Sequence, residues 1–193
     1  MFNNTFLKPT IILLAIAIPV WFIARMAFRR RIPGLNISFT REFLYFIFFL
    51  YLIGLAAVTI VPLSFALHKT PVADDINLIP FKTTMRAIHH SMSVRNGFRL
   101  SMLFENTPGN IVLFLPLGLL LPLIARKTDS FWRILFIGLF CSALIEFIQY
   151  IERSFAVYRS VDIDDVILNT LGAVLGWMLL WLLRLPLRIN TQK

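Results

Sequence analysis

Hydrophobic positions along the chain gather into five long runs, residues 6–28, 43–67, 108–125, 131–151 and 166–183, separated by shorter polar stretches. A bilayer core of ~30 Å, crossed at ~1.5 Å per residue, needs about 20 apolar residues. Each run meets or nearly meets that length, the third being the shortest. None shows the period-2 alternation of barrel strands, and lipid admits only helices or closed barrels. The predicted fold class is therefore all-α: a polytopic membrane helical bundle with about five transmembrane helices. No soluble domain boundary, low-complexity tract or internal repeat interrupts it, so residues 1–193 read as one domain.

One sizeable polar segment remains, residues 68–107. Within it Phe81, Met85, Ile88 and Met92 recur at helical spacing, while Lys82, Arg86, His89, His90 and Arg95 take other positions. That pattern predicts an amphipathic helix lying in the membrane interface. His89 and His90 are adjacent, so they project about 100° apart on a helix and do not make the i, i+4 pair of a metal site. Thr107-Pro108 has the composition of an N-cap and first helical residue, which places Asn110 in the first turn of the third span. Ala15-x-Ala17 mimics a signal-peptide cleavage site, but the apolar run continues through Val20, Trp21, Phe22 and Ile23; the first span reads as an uncleaved helix.

Composition agrees with this pattern: of 193 residues 58% are hydrophobic, and the mean hydropathy is +0.77. The net charge of +9 is informative through its distribution. With five spans, segments 25–42, 126–133 and 184–193 share one side and carry eleven basic residues against Glu42 and Asp129. The other side holds eight basic and eight acidic residues, a balance of zero. The positive-inside rule then predicts a multi-pass plasma-membrane protein with its N-terminus outside and its C-terminus cytoplasmic. The arginine runs thus read as membrane-edge anchors and topology signals, and nucleic acid is dropped as a partner. Cys141 is the sole cysteine, which excludes an intramolecular disulfide.

Against that apolar background Glu146 stands out, because an ionisable group inside a membrane segment is costly and marks a site by default. On a helix, Glu146, Gln149 and Arg153 fall within roughly 60° of one another, and Asp162, Asp165, Asn169, Gly172 and Gly176 within roughly 80°. The short loop between the two runs, carrying Arg159, makes them antiparallel neighbours. Gly172-x-x-x-Gly176 offers a small-residue packing face able to bring the two polar stripes together. Carboxylates with arginine and amide groups make a preorganised polar pocket at headgroup level, suited to sugars, amides or phosphates. A buried Glu146 or Asp165 is also a candidate general acid or base. No nucleophile motif, glycine-rich phosphate loop or zinc spacing accompanies them, so no metal or cofactor is expected and catalysis lacks a specific motif. Structural readings stand beside these: Asp162 as an N-cap, Asp165 as a first-turn charge on the helix dipole, Asn169 as an interhelical hydrogen-bond partner.

The order and spacing of several motifs resemble the VanZ-like family of bacterial membrane proteins. They are Asn77-Leu78-Ile79-Pro80-Phe81, the run Gly109-Asn110-Ile111-Val112-Leu113-Phe114-Leu115-Pro116-Leu117-Gly118, Glu146-Phe147-Ile148-Gln149, then Arg159, Asp162, and Asp165 through Asn169 to Gly172 and Gly176. The resemblance implies a link to lowered sensitivity to lipoglycopeptides such as teicoplanin at the cell surface, and it supplies no catalytic mechanism. Combined with the residue reading, it predicts an outward site of Asn77, Asn110, Glu146, Gln149, Arg159, Asp162, Asp165 and Asn169 that binds a membrane lipid or lipid-like amphiphile. Two other classes compete: an enzyme modifying an envelope lipid or lipid-linked sugar, and a proton-coupled transporter. Polar positions confined to one membrane face, without an inverted repeat, argue against the transporter.

Overall fold

In lipid a backbone must satisfy its own hydrogen bonds, so the apolar runs fold as helices. The computed structural model describes residues 4–31, 38–59, 76–82, 85, 98–153 and 161–189, the side chains of 4–10, 98–108, 153 and 185–189 excepted. Its contacts divide the chain into two units, Met1–Leu67 and His68–Lys193.

The first unit is an antiparallel pair, α1 (Asn4–Arg31) and α2 (Phe39–Thr59). Aromatic rings fill the seam: Trp21 stacks on Phe49 at 4.6 Å and tilts toward Phe46, which also meets Phe22. At the Arg31 end, Glu42 accepts both nitrogens of the Arg25 fork at 2.7 and 2.8 Å and pairs with Arg29 at 3.0 Å.

In the second unit come β1 (Ile76–Asn77), α3 (Phe98–Ile124), a 3-10 turn (Arg126–Thr128), α4 (Phe131–Arg153), β2 (Val161–Asp162) and α5 (Ile163–Ile189). Stretches Ile11–Arg31, Phe39–Thr59, Phe131–Glu152 and Ile163–Arg184 are long and apolar enough to cross a bilayer. The apolar part of α3, Gly109–Ile124, is shorter. It nevertheless belongs to the core, since Phe114, Leu117 and Pro122 are buried. The protein is thus a helical membrane bundle.

The order of contacts fixes the directions. Gly172 and Gly176 of α5 lie on the carbonyls of Ile111 and Leu115, so α3 and α5 run parallel. Gly138 of α4 meets Ala173 and Thr170, and Ser142 meets Asn169, so α4 and α5 run antiparallel. The Gly172–Gly176 face therefore serves the α3–α5 contact and not the α4–α5 contact anticipated from sequence. A glycine face permits close approach without specifying the neighbour. Gly118 completes this contact from the other side, its α-carbon turned to the Ala173 carbonyl.

Two further features depart from the sequence reading. Helix α3 begins at Phe98 and runs straight through Thr107-Pro108, so Asn110 lies in its interior and not in a first turn. Proline has a helical φ and removes one N–H, a loss that a well-formed helix on both sides absorbs. The second feature is a two-residue parallel bridge, Ile76 opposite Val161 and Asn77 opposite Asp162, too short to leave any periodic signal. In the segment read as an interfacial helix, Lys82 and Met85 are helical and the Met85 N–H bonds the Phe81 carbonyl at 2.8 Å. The remainder of that segment, with His89 and His90, lies outside the described residues.

Candidate functional site

The parallel and antiparallel packing brings three things to one end of the second unit: the start of α5, the close of α4 and the Asn110 turn of α3. The β1–β2 bridge adds the segment 76–81. Helix α5 starts where Asp162 adopts an N-cap role, its Oδ1 accepting the Asp164 N–H at 3.0 Å. Asp164 and Asp165 follow in the first turn, where the helix dipole favours negative charge.

Each carboxylate here is met by N–H donors. Glu146, buried on α4, accepts the backbone N–H of Asp162 at 3.2 Å. Asp162, buried, also accepts Asn77 Nδ2 at 2.9 Å. Asp164, buried, accepts the backbone N–H of Phe81 at 2.6 Å. Asp165, half-buried, accepts Asn110 Nδ2 at 2.5 Å. Gln149 is buried three residues beyond Glu146 on α4. About 10 Å deeper along α5, at ~1.5 Å per residue, buried Asn169 donates its Nδ2 to the buried hydroxyl of Ser142 at 2.8 Å. Its Oδ1 is buried and meets no donor among the described residues.

The segment 76–81 is held by this acidic end. Asn77 Oδ1 accepts the Ile79 N–H at 3.3 Å, making a local turn while its Nδ2 reaches Asp162. Phe81 then takes a left-handed backbone, φ 62°, uncommon for an aromatic residue, with its N–H on Asp164. Leu78, Ile79 and Phe81 stay exposed, so an apolar surface borders the polar cluster.

Of the residues singled out in the sequence, Asn77, Asn110, Glu146, Asp162 and Asp165 are joined by hydrogen bonds at this end, with Gln149 beside them and Asn169 deeper. The side chains of Arg153 and Arg159 lie outside the described residues. Two participants escaped the sequence reading. Asp164 falls off the Asp162–Asp165–Asn169 helical stripe, so periodicity gives no signal for it. Ser142 is one turn before Glu146 on the same face of α4, and that i, i+4 spacing was the available signal.

Chemically, the cluster is rich in acceptors. Four carboxylates, three aspartates at the start of α5 and Glu146 on α4, held by charge-assisted bonds, suit a ligand that offers N–H or O–H donors or positive charge. The same groups, taken from facing helices, can also exchange a proton with a bound molecule.

Comparison with curated proteins and with solved structures yields no match. A family comparison does: residues 48–184, which include every site position from Asn77 to Asn169, match the family model described as VanZ/LLP1, and the chain belongs to that family.

Proposed function

We propose that this VanZ/LLP1 member is a binding protein of the bacterial plasma membrane. Its acid-and-amide cluster faces the exoplasmic leaflet and takes the polar head of an amphiphile, whose acyl tail lies along the helices. The shape fits a lipoglycopeptide of the teicoplanin type and lipid intermediates of the cell envelope alike. A single observation carries this reading: buried Glu146 and Asp162, with Asp165, Asn77 and Asn110, meet at one end of α3, α4 and α5, beside exposed Leu78, Ile79 and Phe81. Acceptors at headgroup level next to an apolar rim are what an amphiphile needs. The outward orientation rests on the second unit's own basic end, Arg126, Lys127 and Arg184, lying across the span from the cluster, by the positive-inside rule.

The test is teicoplanin susceptibility of a sensitive host expressing the full chain, beside the variants Glu146→Ala and Asp165→Ala at matched membrane insertion. Protection by the wild type, lost in both variants, is expected. Full protection by both variants would remove the cluster from the function.

A second reading has one supporting observation: Glu146 on α4 and Asp165 on α5 approach the same end from facing helices, as an acid/base pair does. An enzyme acting on an envelope lipid or lipid-linked sugar then shows itself by turnover. Expression changes the lipid profile seen by mass spectrometry, and Glu146→Gln reverses the change. Identical profiles for empty vector, wild type and variant leave the binding reading in place.

A further inference from the structure

The first unit carries a second charged feature, unrelated to the acidic cluster. Residues 1–67 contain six basic residues, five of them (Arg25, Arg29, Arg30, Arg31 and Arg41) at one end of the α1–α2 pair. Glu42 is the single acid in that stretch of sequence. It is already engaged: the Arg25 fork grips both of its oxygens, and Arg29 reaches the same carboxylate. Arg25 itself is fixed between the rings of Phe28 and Tyr45, at 5.3 and 5.0 Å. This half-buried pair anchors the helix ends and leaves Arg30, Arg31 and Arg41 exposed, with no second acid in the stretch to answer them.

Apolar surface adjoins those cations. Phe28, Phe39 and Phe43 are exposed, Phe39 by 84%. Both helices reach this end from stretches of membrane-spanning length, so cations and rings sit where headgroups give way to acyl chains. Guanidinium groups bind phosphate through paired N–H donors, and clustered arginines at a span's end attract anionic lipid. We propose that the arginine end of the α1–α2 pair is a docking site for the headgroup of an anionic phospholipid, with Arg30 and Arg41, one from each helix, as its principal cations and the exposed phenylalanines against the glycerol and upper acyl region. Charge complementarity combined with the aromatic flank selects a lipid over a soluble anion.

The experiment titrates the full chain in detergent with diphosphatidylglycerol or with phosphatidylcholine of the same acyl chains and counts retained lipid by native mass spectrometry. The wild type is expected to bind diphosphatidylglycerol at least about tenfold tighter. Since an arginine near an anionic headgroup is worth roughly fivefold in affinity, Arg30→Gln/Arg41→Gln should loosen it by about 25-fold. That pair leaves the Arg25–Glu42–Arg29 anchor untouched. A charge-matched control, Arg126→Gln/Lys127→Gln, alters an exposed basic turn of the second unit where Asp129 stands two residues on, and should loosen retention less than Arg30→Gln/Arg41→Gln. Four results would overturn the proposal: equal binding of the two lipids, unchanged retention in Arg30→Gln/Arg41→Gln, equal loss in the control, or displacement of the lipid by millimolar inorganic phosphate. The first three leave the arginines as topology signals alone; the fourth makes the site one for free anions.

Discussion

A methyl group at Gly118 is the sharpest available test of the α3–α5 contact. A Cβ built there lies 1.7 Å from the Ala173 carbonyl oxygen, 2.7 Å from its carbon and 2.9 Å from the Trp177 nitrogen, all backbone atoms of α5. Rotation of a side chain cannot relieve a clash with backbone. Reaching even the 3.0 Å limit of real Cβ contacts requires the two helices to part by about 1.3 Å. A gap of ~0.5–1 Å already forfeits a quarter to a half of each contact's dispersion energy. Overpacking costs typically ~1–3 kcal/mol, and a backbone-on-backbone clash sits at the upper end. The gain in helix propensity from glycine to alanine, ~1 kcal/mol, offsets part of this. Gly118→Ala should therefore lose about 2 kcal/mol, a ~30-fold shift toward the unfolded state. Gly109→Ala, on the same helix with nothing within 4 Å among the described residues, is the matched control and should be neutral or slightly stabilised. Reversible unfolding in mixed micelles with increasing dodecyl sulfate reads both variants against wild type. Coincident transitions for Gly118→Ala and Gly109→Ala would refute the close parallel packing of α3 on α5.

Two further outcomes follow from single side chains, read in the same unfolding assay. Asn169→Leu removes one hydrogen bond to Ser142 but also a buried acceptor that meets no donor among the described residues, so stability should stay within about 1 kcal/mol of wild type; a loss beyond about 2 kcal/mol would mean that Oδ1 has a bound partner. Glu42→Ala strips Arg25 and Arg29 of their carboxylate, where Arg25 and Glu42 are only 20% and 17% exposed and Arg29 is 53% exposed. The cost should be about 2 kcal/mol, between that of a surface pair and a buried one, and a value near zero would show that the ring contacts of Arg25 suffice without it.

What the sequence discloses is governed by the range of the physical rule involved. Bilayer thickness acts on every run at once, so the helices at 131–153 and 163–189 were legible within a few residues. Helical periodicity acts over one or two turns and relates Asp165 to Asn169 along α5, but it does not say which neighbour each meets: Asp165 turns to Asn110 of α3, Asn169 to Ser142 of α4, and Asp162 precedes the helix in β2. Where two local rules conflict, sequence misleads: Thr107-Pro108 has the chemistry of a helix start, yet Phe98–Ile124 is one helix because flanking residues sustain it. Contacts across long separations have no local rule at all. Asn77 meets Asp162 across 85 residues and Phe81 meets Asp164 across 83, and neither pairing has any periodic trace. Only the order of motifs shared with the family set Asn77 and Asp162 in one site, and no rule pointed to Asp164.

The glycine contact and the acidic cluster are two parts of one arrangement. Ile111, whose carbonyl receives Gly172, is the residue after Asn110, whose amide holds Asp165. The spacing that lets α5 lie on α3 therefore also sets how closely Asn110 approaches Asp165. A side chain at Gly172 must move the Ile111 carbonyl outward from 2.2 Å by about 0.8 Å to reach the 3.0 Å limit, and Asn110 moves with it. The polar bond would lengthen with it, from a short charge-assisted contact toward the long end of the hydrogen-bond range. This is why a residue with no polar atom in its side chain belongs to the account of the site. The small-residue face does more than let two helices touch: it fixes at what separation an amide on α3 can hold a carboxylate on α5 at the membrane edge.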